Sequence, residues 1–269
     1  MITYLDRYLA GEREAVWAEL TALGAAVLDE PQASDATAVA RETMRRARAN
    51  VELLTQRLTA IGYRFIRDMQ DQPFEPSDGE ALATLRRLQQ EYGSLPLSVT
   101  AWYEEVGAVD FRGVYPGLSA FETVDLSNLR MFFQGQHLRV SLTPEVRILS
   151  SEPASAPDPD ASLTSDPLVI FVCNEALVDE LDEGGQTVAS YCLAPDALHK
   201  ANVSGGDGPH IDFGQAGMDA PLRGDDWNGV PFITYLRTVF AWGGFPGLSA
   251  EANPPRALLA SLCEGLQPL

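Results

Sequence analysis

Residues 82–113 read LATLRRLQQEYGSLPLSVTAWYEEVGAVDFRG. In this stretch Leu82, Leu85 and Leu88 recur at helical spacing, and the pattern stops at Gly93. Just upstream, Ser77-x-x-Glu80 has the form of a capping box and predicts where that helix begins. Pro96 suits the start of a second helix, which carries Val99, Trp102, Tyr103 and Val106 inward and stops at Gly107. Ala108–Arg112 then predicts a strand. Two short helices leading into a strand, with further short strands after it, predict an α+β fold.

Downstream, the pattern changes to short strand candidates at Met131–Phe133, His137–Ser141, Val146–Leu149, Leu168–Cys173 and Thr187–Leu193. Between them SSEPASAPDPDAS is polar, rich in proline and without apolar periodicity, which predicts a mobile loop near 150–165. NEALVDELDEGG predicts a helical turn or turn-rich connection. Pro195–Lys200 predicts a short helix, Gly205–Gly208 a turn and His210–Phe213 a short strand. The apolar face Phe232, Tyr235, Leu236, Val239 and Phe240 predicts a helix within Pro231–Trp242, closed by Gly243-Gly244, and Arg256–Cys263 predicts one more.

Upstream, the first 62 residues predict a helical hairpin. Leu5, Tyr8, Leu9, Val16, Trp17, Leu20 and Leu23 mark one arm. Ser34 or Asp35 can cap a second, running through Val39, Met44, Val51, Leu54 and Leu58 to Gly62. Tyr63–Ile66 follows as a strand candidate. The division expected is a hairpin extension over 1–66 and a main α+β domain over 67–269.

With 45% hydrophobic and 9% aromatic residues, the chain has the composition of a folded protein. Asp6, Arg7, Glu12, Arg13 and Glu14 interrupt the apolar run a signal peptide needs, and no run is long enough to span a bilayer. A cytoplasmic location is expected. Cys173, Cys192 and Cys263 are odd in number and widely spaced, the pattern of free thiols. The net charge is −19, and −13 of it falls within 151–230, where fifteen acids face two bases. Such a field repels nucleic acid and anionic lipid and steers a basic partner inward.

His210-x-Asp212 sits in a predicted strand, where residues two apart share a face, so the pair can point together at a metal. Asp207, Asp219, Asp225 and Asp226 are the acids that would complete such a site. No HExxH or GxSxG motif is present, Gly205–Gly208 and Gly243–Gly247 do not match a phosphate-binding loop, and Asp158–Asp166 lacks the glycine and terminal glutamate of a calcium loop. No catalytic residue, metal or cofactor is therefore assigned. Trp227, beside Asp225 and Asp226, has the composition of a binding anchor with a charged rim. Asp207, Asp212, Asp225, Asp226 and Trp227 are the candidate partner-binding residues.

The ordered series Leu95-Pro96, Trp102, Tyr103, Val106-Gly107 and Phe111-x-Gly113 resembles the opening of the SUKH superfamily of Smi/Knr-type domains. Phe232, Tyr235 and Leu236 are similar to its closing helix, so the resemblance spans roughly residues 75–245. It implies an α+β fold around a mostly antiparallel sheet flanked by helices, and it implies an immunity protein that neutralises a toxin by binding it through an acidic surface without catalysis. The alternatives are a metal-dependent enzyme using His210 and Asp212, and a regulatory scaffold that binds through the N-terminal hairpin.

Overall fold

The computed structural model describes residues 2–65, 72–115, 166–171, 177–181, 187–194, 208–224, 227–250 and 253–269. The strand candidates at 131–149, the loop near 150–165 and the helix at Pro195–Lys200 lie outside the described residues. So do Asp207, Asp225 and Asp226.

The N-terminal part is three helices, α1 (Tyr4–Leu9), α2 (Arg13–Ala22) and α3 (Gln32–Ala60), with a 3-10 turn at Gly24–Leu28. The first arm is therefore not continuous: it breaks at Ala10–Glu12, and the Arg7 guanidinium grips Glu19 with two bonds of 2.7 Å and Glu12 with one of 3.0 Å, folding α1 against α2. Helix α3 spans 29 residues, roughly 43 Å at 1.5 Å per residue. Val39, Ala40, Met44, Ala47, Val51, Leu54 and Leu58 form its buried stripe. The two polar residues in that stripe are satisfied. Thr43 Oγ1 accepts from Trp17 Nε1 at 3.1 Å and donates to Val39 O. Asn50 holds the Gln267 backbone with two bonds, 2.8 and 2.7 Å, fastening the last residues along α3. A buried amide left without partners costs about 1–3 kcal/mol, so this clamp fixes where the tail lies.

Capping differs from expectation at both predicted helix starts. Helix α3 begins at Gln32 after Pro31, and the Asp35 carboxylate instead accepts from the Tyr4 and Leu5 N–H groups that open α1. Helix α4 (Gly79–Tyr92) is capped by Asp78, whose Oδ1 accepts from Glu80 N and Ala81 N at 3.0 and 2.8 Å, and Ser77 lies one residue outside. The extended backbone at Asp78 brings its short carboxylate onto those N–H groups. At the far end of α3, Gly62 N–H reaches Thr59 O and Tyr63 N–H reaches Leu58 O, closing the helix at the residue expected.

Helix α5 (Leu97–Glu105) buries Val99, Trp102 and Tyr103 and packs on α3. The chain then enters the sheets. Strand β3 (Ala108–Asp110) pairs antiparallel with β2 (Phe74–Glu75) and β5 (Val169–Ile170), while β1 (Arg64–Phe65) pairs with β4 (Gly113–Val114). Two glycines make these turns feasible. Gly107 has φ 110°, and a Cβ there would lie 2.4 Å from Glu75 O. A Cβ on Gly113 would lie 2.2 Å from the Tyr63 ring, whose hydroxyl donates to Phe111 O at 2.7 Å. Any side chain at either position forces the backbone apart.

A third antiparallel sheet holds β6 (Leu177–Leu181), β7 (Thr187–Cys192) and β8 (His210–Asp212). Strand β6 corrects the turn-rich reading of NEALVDELDEGG: its five residues all find backbone partners on β7. Helices α6 (Phe232–Ala241) and α7 (Arg256–Cys263) close the fold. One core cluster runs from Tyr8 through Trp102, Phe111, Tyr191 and Phe232 to Leu269, joining the N-terminal helices to the sheets. The fold is thus α+β, with small antiparallel sheets. No helix among the described residues is long and apolar enough to cross a membrane.

Candidate functional site

The candidate residues that the structure describes lie on β8 and on the segment that follows it. His210 and Asp212 occupy one face of β8, opposite Cys192 and Ser190 of β7, while Ile211 and Tyr191 point into the core. The four side chains on that face have different partners. Asp212 Oδ1 accepts from Ser190 Oγ at 3.1 Å and Oδ2 from Arg223 Nε at 3.1 Å. His210 is buried, and its Nδ1 donates to Gly208 O at 2.9 Å. His210 and Asp212 thus share a face with separate partners: the carboxylate turns to the neighbouring strand and to Arg223. Among the described residues no three His, Cys, Asp or Glu side chains gather to hold a metal ion.

Cys192 and His210 are cross-strand neighbours, the one juxtaposition on this face that resembles a nucleophile with its base. The thiol environment does not favour that chemistry. Burial pushes the Cys192 thiol above its ordinary value, and its Sγ faces Ala194 O at 3.5 Å. Burial pushes up the Cys263 thiol as well. A cysteine nucleophile needs its thiolate stabilised, and both sites favour the neutral thiol.

After β8 the chain turns back, and Arg223 exchanges both backbone hydrogen bonds with His210. Leu222 and Val230 then close a short loop, with Leu222 N–H donating to Val230 O at 2.8 Å. Trp227 lies in this loop, half-buried. Its indole N–H donates to Asp166 Oδ2 at 3.0 Å, and its ring meets Tyr235 of α6 edge-on with centroids 4.8 Å apart. Asp166 is itself buried, so the indole N–H serves the fold, and what remains for a partner is the exposed part of the ring.

Asp219 does not join an oxygen-rich site near His210. Its Oδ1 accepts from Ser98 Oγ of α5 at 2.7 Å and its Oδ2 from Ile233 N of α6 at 3.1 Å, making it a cap for α6 supplied from a distance. The same segment serves α5, since Gly217 O and Met218 O accept from Leu97 N and Ser98 N. Asp219 keeps some surface in water, yet its carboxylate sits deep enough that burial raises its pKa to about 6 against the hydrogen bonds that lower it. Sequence reading gave this residue no such role, because its partners lie 121 and 14 positions away and no local pattern marks them.

Four of the five arginines of α3 meet carboxylates of the chain, and the fifth, Arg57, donates to Leu262 O at 2.7 Å. Arg41 meets Glu104 of α5 at 2.8 Å, Arg45 and Arg46 both meet Glu42, and Arg48 meets Glu52 at 2.9 Å. Across 151–230 the sequence holds fifteen acids and two bases, and of the described acids there Asp212 meets Arg223. Comparison of the chain with family models, curated proteins and solved structures returned no match.

Proposed function

We propose that this chain is a non-catalytic protein-binding module that recognises a basic partner through the acidic surface of residues 151–230. Following the SUKH-like series at 95–113, we read it as an immunity protein that neutralises a toxin by covering it. The observation that carries this reading is the asymmetry of charge. Four of the five arginines of α3 are engaged by carboxylates of α3 and α5, while fifteen acids in 151–230 are matched in sequence by two bases. A strong excess of acids attracts cations from solution and accelerates encounter with a basic protein. The neutral thiols and the Ser190- and Arg223-bound Asp212 agree with binding rather than chemistry.

The test is capture by the purified chain of basic candidates, beginning with any toxin encoded beside it. A complex whose association rate falls steeply with added salt supports the reading. Failure to hold any basic protein at low salt removes it.

A second reading, binding through the N-terminal hairpin, is favoured by one observation. Ile2, Leu9, Leu23 and Leu28, the large apolar side chains left exposed among the described residues, all lie on the hairpin. Replacing the exposed Ile2, Leu9 and Leu28 by serine separates the two, because hairpin-mediated capture is lost while the core and the acidic segment stay unchanged.

A further inference from the structure

A cleft of about 430 Å³ opens between α2 and the start of α6, bounded by Glu14, Trp17, Thr21, Asp219, Ile233 and Arg237. Its volume falls in the range of small-ligand sites. Three charged groups face it from three elements: Glu14 on α2, Asp219 on the segment before α6, and Arg237 one turn into α6. Arg237 lies close enough to feel both carboxylates, yet no ion pair joins any two of the three. Among the described residues Glu14 has no hydrogen-bond or ion-pair partner at all. Of the Arg237 guanidinium only Nε reaches a protein acceptor, Leu269 O at 3.2 Å, and the buried Nη2 has none.

Charged groups withdrawn from water are ordinarily paired with one another. Here burial lowers the Arg237 pKa and raises that of Asp219, so both ions are held at a cost that contact between them would relieve. The cleft that the three charged groups share is also lined by the Trp17 indole, Ile233, Thr21 and Thr234. An occupant complementary to this lining carries both signs of charge close together and a modest apolar portion. A lone cation would face Arg237, and a lone anion would face two carboxylates.

We propose that this cleft binds a small zwitterion of the α-amino-acid class, its carboxylate toward Arg237, its ammonium toward Glu14 and Asp219, and its side chain against Trp17. Such a ligand would bridge the first arm of the hairpin and α6, so its occupancy would tie the N-terminal helices to the C-terminal ones. Of its three charged groups only Asp219 belongs to 151–230, and Asp219 is not among the residues proposed to meet the partner.

The experiment is calorimetric titration of the full-length chain with the twenty common amino acids, first pooled and then singly. Isobutylamine and isovalerate serve as controls carrying one charge each. The expected result is saturable binding of at least one amino acid and binding of either control weaker by roughly tenfold or more, the scale of one charge-assisted hydrogen bond. Arg237→Gln is expected to weaken the amino acid by about tenfold. Glu14→Gln, a change on an exposed position without protein partners, is expected to weaken it about threefold while leaving the melting temperature of the free protein unchanged. Absence of binding by every amino acid overturns the proposal and leaves ordered water as the bridge between the charges. Equal binding of a single-charge control, or an affinity indifferent to Glu14→Gln, also overturns it.

Discussion

The N-terminal helices and the β6–β8 region solve the problem of charge in opposite ways. Over residues 1–70 ten acids stand against nine bases, and the arginines of α1 and α3 meet glutamates one helical turn or one helix away. Over 151–230 fifteen acids stand against two bases, and three described acids turn to varied donors: Asp166 to the Trp227 indole, Asp212 to Ser190 and Arg223, Asp219 to Ser98 and Ile233. The first region is held by a long buried stripe and is electrically quiet. The second has short strands and a field that reaches into solvent. The contrast teaches that a balanced, buried helical region and a segment with a large excess of acids can share one chain, the second being the one proposed to attract a partner.

Substitutions can sharpen or break that contrast. Leu54 is fully buried in the stripe of α3, and Leu54→Ala is expected to cost about 2–5 kcal/mol in urea unfolding. A loss under about 1 kcal/mol would mean that α3 is not the stabilising element.

The next effect is one of pH. Folding raises the Asp219 pKa from an ordinary 3.8 to about 6. Below pH 4 both folded and unfolded chains carry the proton and nothing is lost. As pH rises from about 4 to about 6 the unfolded chain releases it first, so stability falls through that window and levels above it, by on the order of 3 kcal/mol at most. The difference between unfolding curves of the parent protein and Asp219→Asn isolates this contribution from other carboxylates. A difference that does not change between pH 4 and 6 would refute the burial of that carboxylate.

Asp78→Ala removes the cap of α4 and is expected to cost about 1 kcal/mol, whereas Ser77→Ala leaves stability within experimental error. The smallest effect belongs to the ion pair on β8. Arg223 is 58% exposed, and Arg223→Ala is expected to cost less than about 1 kcal/mol, in contrast to the buried stripe of α3.

Much of this architecture could be read from periodicity. Leu85 and Leu88 of α4, Val99 and Trp102 of α5, and Phe232, Tyr235 and Leu236 of α6 all lie buried where helical spacing puts them. What escaped the sequence depends on side-chain reach. Whether Ser77 or Asp78 caps α4 is decided by one residue of backbone, and Asp35 serves α1, about thirty positions earlier. The strand at Leu177–Leu181 was obscured because adjacent acids in VDEL suit a helix as well, and only β7 decides between them. At the candidate site, pattern placed His210 and Asp212 on one strand face but could not say that Arg223 and Ser190 would take the carboxylate. The distant cap at Asp219 and its cleft with Arg237 needed the fold.

The central claim is that the acidic segment, rather than the helical part, meets the partner. Its most direct test is the association rate of the captured partner, measured against ionic strength, for the parent chain and for Asp225→Lys with Asp226→Lys. The account predicts that the double substitution slows association roughly tenfold or more at low salt and flattens the salt dependence, with the dissociation rate changed less. An unchanged association rate at low salt would contradict it and remove these two residues from the surface that the partner approaches.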